Sequence, residues 1–161
     1  MPVRKFGDIN KANSLFRNLV NNMTKAERKI LAEVALKAEQ LAVDRIKSQP
    51  SEWKALSPSY YKWKVDKGFS EKTLIKTSSM IQSITSGVDG LVGYAGVTKT
   101  ARNKDGESVA NIAAVHEYGS VKMNIPARPV WQVVHRQTIQ YILFTDTIKQ
   151  TLKEALLRGV K

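Results

Sequence analysis

The stretch from Thr24 to Pro50, TKAERKILAEVALKAEQLAVDRIKSQP, decides the fold. Ile30, Leu31, Val34, Ala38, Leu41, Ala42 and Ile46 recur at three- and four-residue intervals. Lys25, Arg28, Lys29, Glu33, Lys37, Glu39 and Asp44 mostly take the other face. This spacing predicts an amphipathic helix running to about Ser48. Thr24 and Glu27 have the spacing of a capping box, in which each side chain satisfies a free backbone N–H at the helix start. Pro50 ends the helix, because the residue before a proline is pushed out of helical geometry. Upstream, Gly7, Asn10, Asn13, Asn18, Asn21 and Asn22 interrupt a few apolar residues. Residues 1–23 therefore read as a partly ordered N-terminal arm. A short helix over 12–20 would place Leu15, Phe16 and Leu19 on one face. Residues 24–161 read as a single domain.

Past Pro50, Ser57-Pro58 is a helix start, with serine as cap and proline in the first turn. Gly68 closes that short helix. Residues 72–86 predict a turn of helix leading into a strand near Ile81–Ser86. Asp89-Gly90 is a hairpin signal, and it separates this strand from a second over Leu91–Val97, which Gly93 and Gly96 would loosen. Residues 99–108 are polar, with Asn103 and Asp105-Gly106 at the tip, and predict an exposed, mobile loop. Val109–Tyr118 predicts a short helix ended by Gly119, and Lys122–Ile125 a strand. Pro129 would then open a long C-terminal helix. Its apolar stripe (Val130, Val133, Val134, Ile142, Leu143, Ile148, Leu152, Leu156, Leu157) is interrupted around Thr145-Asp146-Thr147. The expected class is α+β: a small antiparallel sheet packed with a long N-terminal and a long C-terminal helix.

With 161 residues, 42% of them apolar, the chain can bury a core without staples. It has no cysteine, which excludes disulfides, thiol catalysis and Cys-ligated metal. No apolar run reaches the ~18 residues of a membrane helix, and MPVRKFGDIN lacks the apolar core of a secretory signal. A soluble, non-exported protein is expected. The net charge of +12 invites a polyanion reading. The charge is spread, however: residues 1–80 hold 16 basic and 8 acidic side chains, residues 81–161 hold 10 and 6, and the two signs interleave.

The chemistry-bearing residues are sparse. His116-Glu117 begins like a zinc-binding HExxH, but the fifth position is Ser120 and the second ligand is missing. No phosphate-binding or nucleophile motif occurs. No metal, cofactor or catalytic residue is therefore assigned, and no enzyme is expected. Trp53, Tyr60, Tyr61 and Trp63 interleave with Lys54, Lys62, Lys64 and Lys67. That mixture fits a surface stacking bases and holding phosphates, and equally rings buried in a core or subunit interface.

Two stretches carry a resemblance. The first is EWKALSPSYYKWKVDKG (52–68) with TLIKTSSMIQSI (73–84). The second is AAVHEYGS (113–120) with IPARPVW (125–131). Together they resemble the phage virion morphogenesis and tail-completion proteins, the broad group of Mu G-like and HK97-type head–tail connector proteins. One departure is Ser78-Ser79-Met80, where relatives often carry glycine in the first position of that turn. The resemblance implies a structural neck protein with no catalytic residues. Such a protein assembles as a six- or twelve-fold ring between head connector and tail, touching neighbouring neck, adaptor or tail-terminator proteins. It implies a place at the head–tail junction of the virion, and in the host cytoplasm during assembly. Its structural and interface candidates are His116, Glu117, Tyr118, Gly119, Pro126, Arg128, Pro129, Trp131, Trp53, Tyr60, Tyr61 and Trp63. Glu117 is the natural salt-bridge partner for Arg128, whose planar fork also suits carbonyls. The alternative is a basic DNA-binding accessory protein using segment 53–67, with Lys54, Lys62, Lys64 and Lys67 facing DNA.

Overall fold

The structure, a computed structural model, describes residues 9–159. Helix α1 spans Ile9–Ser48, α2 Pro58–Asp66 and α3 Ser79–Gln82. Strands β1 (Ile84–Asp89) and β2 (Val92–Val97) follow, then α4 (Val109–Tyr118), α5 (Trp131–Phe144) and α6 (Asp146–Gly159). The expected α+β class holds.

Helix α1 begins well before Thr24. Residues 1–8 of the expected arm lie outside the described residues, but 9–23 are helical and continuous with the amphipathic stretch. Thr24 is thus no cap: its hydroxyl donates to the Val20 carbonyl one turn back, as threonines do inside helices. At the other end the helix stops at Ser48, as Pro50 predicts. Gln49 takes a left-handed conformation (φ 51°). Its side-chain amide then clamps Thr73 from both sides, donating to the carbonyl (2.9 Å) and accepting from the N–H (2.7 Å). This ties the end of α1 to the segment before α3.

The hairpin has the predicted site. Asp89 pairs with Val92 across a two-residue turn, and Gly90 supplies the left-handed backbone (φ +59°) that such a turn requires. Gly93 has a packing reason: a Cβ there would lie 3.0 Å from the Leu31 carbonyl, so its absence lets β2 lie close on α1. The two-stranded sheet packs on one side of α1. Helix α5 runs back along α1, with Pro129 at Arg45 (2.8 Å) and the Tyr141 hydroxyl on Glu33. The core sits between the C-terminal half of α1 and the elements around it: Ala42, Ile46, Trp53, Met80, Ile84, Val109, Val130 and Val134.

Two further expectations change. The C-terminal helix is two helices, because Thr145 leaves helical geometry (φ −85°, ψ 130°), at the place where the stripe breaks. Lys122–Ile125 is no strand. It is a turn closed by a single bridge between Ser120 and Ile125, with Asn124 left-handed (φ 51°). The 99–108 loop is bonded within itself, with the Asn103 side chain accepting from the Asp105 and Glu107 N–H groups. Lys76 holds the loop by an ion pair to Asp105 (2.9 Å).

Candidate functional site

The IPARPVW segment meets the end of α4 and the start of α5, and this junction organises the predicted residues. Helix α5 begins at Trp131 with Val130 as its cap residue, and valine has no side-chain oxygen for the helix's free N–H groups. Glu117, at the end of α4 and 6% exposed, supplies it from a distance. One carboxylate oxygen accepts from Val130 N (2.7 Å) and Trp131 N (3.0 Å), the other from Gln132 N (3.0 Å). A carboxylate at a helix N-terminus is favoured both by these bonds and by the helix dipole.

Arg128 is 3% exposed and does not pair with Glu117, contrary to expectation. Its fork donates to the Lys54 carbonyl from two nitrogens (3.1 and 2.8 Å), one of which also reaches Ala55 O (3.4 Å). The carboxylate is engaged by backbone donors and the guanidinium by backbone acceptors. Arg128 thereby fastens the loop before α2 to the loop before α5. Its own N–H donates to the His116 carbonyl (2.6 Å). Gly119 makes the crossing possible. It has φ +76°, and a Cβ there would lie 2.9 Å from Ala127 N. Pro126 and Pro129 flank the arginine, half-buried, and Trp131 packs against the core. Tyr118, by contrast, is 75% exposed.

His116 is largely buried, and its Nδ1 has no hydrogen-bond partner. Burial, with the nearby Arg128 charge as a second cause, lowers its pKa from 6.5 to about 4. It is neutral at neutral pH. The unfolded chain therefore takes up the proton first as pH falls. Stability is full above pH 6.5 and is lost progressively down to about pH 4. At pH 5 the loss should be about 2 kcal/mol relative to pH 7. Urea unfolding of the wild type and of His116→Gln at both pH values checks this. The variant should lose less by that amount, and equal losses would remove His116 as the cause.

The aromatic segment divides. Trp53 is buried in the core, with the Arg45 guanidinium over its ring. Tyr60 and Trp63 lie on the surface of α2 and stack (5.5 Å, 18°), Trp63 also meets Phe69, and the Lys76 ammonium lies over both Trp63 and Phe69. The Tyr61 hydroxyl donates to Glu71 (2.8 Å). Lys54, Lys62 and Lys67 are exposed. Lys64 is not available to DNA: it is 2% exposed, and its ammonium donates to the Lys72 (2.7 Å) and Ile75 (2.9 Å) carbonyls. Burial lowers its pKa. Nothing in its spacing distinguished this anchor from its solvated neighbours. Gln49 and Arg45 were likewise not legible as tethers.

Among the described residues no group of three or more His, Asp or Glu side chains is arranged to hold a metal ion. Among the same described residues no helix is long and apolar enough to cross a membrane. The polar groups of the junction hold backbone to backbone. The surface also offers large apolar side chains: Tyr118 at the end of α4 with Val121 and Met123 beyond it, Leu91, Val92 and Tyr94 on the hairpin, and Leu143 and Phe144 at the end of α5. The family model for phage virion morphogenesis matches residues 8–158. No curated protein matches the chain, and no solved structure does.

Proposed function

We propose, from the premise that the chain belongs to the phage virion morphogenesis family, that it is a structural protein of the phage neck. In this reading it assembles as a six- or twelve-fold ring between head connector and tail, completing the tail or joining it to the head. Its partners are further copies of itself and neighbouring neck, adaptor or tail-terminator proteins. The protein acts by assembly, without turnover. The exposed basic side chains, Lys54, Lys62 and Lys67 among them, are available to genomic DNA passing through such a ring.

The observation that carries this reading is the uncovered apolar surface of the single copy. Several large apolar side chains are more than half exposed and neighbour one another in sequence: Leu91, Val92 and Tyr94, Tyr118, Val121 and Met123, and Leu143 and Phe144. Contiguous apolar exposure marks surfaces that partners cover. The same junction offers no unengaged acid–base pair for chemistry, since Glu117 and Arg128 each bind backbone groups.

Sedimentation of the purified full chain, with electron microscopy of the same sample, tests the assembly. Closed rings of one size are expected, formed by the chain alone or on addition of purified heads or tails. A chain that stays monomeric under all three conditions contradicts the ring.

A further inference from the structure

Two features beside α4 stay unfilled or uncovered in one copy. Beyond the C-terminal end of α4, residues 120–125 form a tight projection. Ser120 and Ile125 exchange both backbone hydrogen bonds (2.8 and 2.9 Å), and Ser120 Oγ accepts from Met123 N (3.3 Å). Val121 at its tip is fully exposed and Met123 is more than half exposed. Lys122 lies between them and forms no ion pair among the described residues.

Along one face of α4, from Val109 and Ile112 to His116, lies a half-open cavity of about 240 Å³, with Leu56, Leu74 and Met80 also on its walls and Glu107 beside them. This is smaller than the roughly 300–1,000 Å³ of typical small-molecule sites. It has the size for one or two side chains. The cavity's own lysines are engaged: Lys76 pairs with Asp105, and Lys64 points its ammonium at two carbonyls. Glu107 is in no ion pair among the described residues, and one of its carboxylate oxygens accepts from the Asn103 side-chain amide (2.8 Å). The cavity thus presents an apolar floor with a carboxylate, and the projection presents two apolar side chains around an ammonium.

We propose that the Val121–Met123 tip of one copy seats in the α4 cavity of the next, with Lys122 facing Glu107. A copy's own tip does not fill its cavity: the Val121 side chain is fully exposed. A projection and a socket at different places on one chain make a head-to-tail contact, the type that closes into rings. The hydrogen bonds at the base of the projection hold it in shape before contact, which lowers the ordering cost of binding. The inference rests on the ring reading above and names the contact that builds the ring.

The chain has no cysteine, so an engineered pair reports cleanly. The double variant Val121→Cys with Thr77→Cys, on the tip and the cavity wall, should on oxidation give a ladder of covalent multimers ending at the ring size. Each single variant should give none. Val121→Asp should weaken ring assembly at least tenfold and leave the circular dichroism spectrum and Tm unchanged, since that side chain is fully exposed.

Rings that form normally with Val121→Asp and give no ladder would overturn this contact and leave the ring reading standing. Dimers from Val121→Cys alone would overturn it in favour of a symmetric contact. Intact Val121→Asp rings that no longer attach to heads or tails would assign the tip to a different neck protein. If the wild type forms no ring under any condition, the reading and the contact fall together.

Discussion

Replacing Glu117 by alanine should lower stability by about 4 kcal/mol, because three backbone donors at a buried helix start lose their acceptor together. For a chain of this size that corresponds to a Tm lower by roughly 8–16 °C. Glutamine at the same position retains one acceptor oxygen but turns an amide N–H₂ toward the remaining donors, so Glu117→Gln should fall between the wild type and the alanine variant. Thermal unfolding of the three proteins checks the order. An alanine variant within 1 kcal/mol of wild type would mean that α5 finds another cap and that the junction is not organised by Glu117.

Replacing Arg128 by methionine should cost about 3 kcal/mol, since methionine keeps much of the volume but leaves the Lys54 and Ala55 carbonyls without their charged donor. Arg128→Lys should recover less than half of that loss, because one ammonium cannot reproduce a planar fork. The methionine variant carries a second signature. Arg128 is one of the two causes that hold His116 below its ordinary pKa. Removing the guanidinium should raise the His116 value, yet leave it under 6.5 because burial persists. NMR titration of the His116 ring measures this directly, and a value unmoved in the variant would separate the two residues electrostatically.

Local chemistry made much of this fold legible. The three- and four-residue spacing of Ile30 to Ile46 located the amphipathic part of α1, Ser57-Pro58 located α2, and Asp89-Gly90 located the hairpin turn. The early start of α1 went against local preference, and the capping-box reading of Thr24 failed with it. The asparagines before Thr24 are poor helix formers, yet that stretch continues a helix on which α6 packs. Thr24 and Glu27 have the spacing of a cap, but a threonine inside a helix satisfies its hydroxyl on the preceding turn.

The junction was half legible. Its residues were identified as a set, and Arg128 was expected on carbonyls or a carboxylate. The Glu117–Arg128 pair was wrong because opposite charge says nothing about competing partners. The signal that was present is Val130, a helix cap without an oxygen, which obliges another residue to supply one. Lys64 had no such signal. Only the three-dimensional path of residues 72–75 brings two carbonyls to its ammonium.

The central claim is that this chain joins or completes phage structures at the neck. Electron microscopy of lysates from a phage lacking this one gene tests it most directly. The account predicts filled heads beside unattached tails, or tails that are overlong or unfinished; the first result assigns head–tail joining and the second tail completion. Normal joined particles in the absence of the gene would contradict the claim.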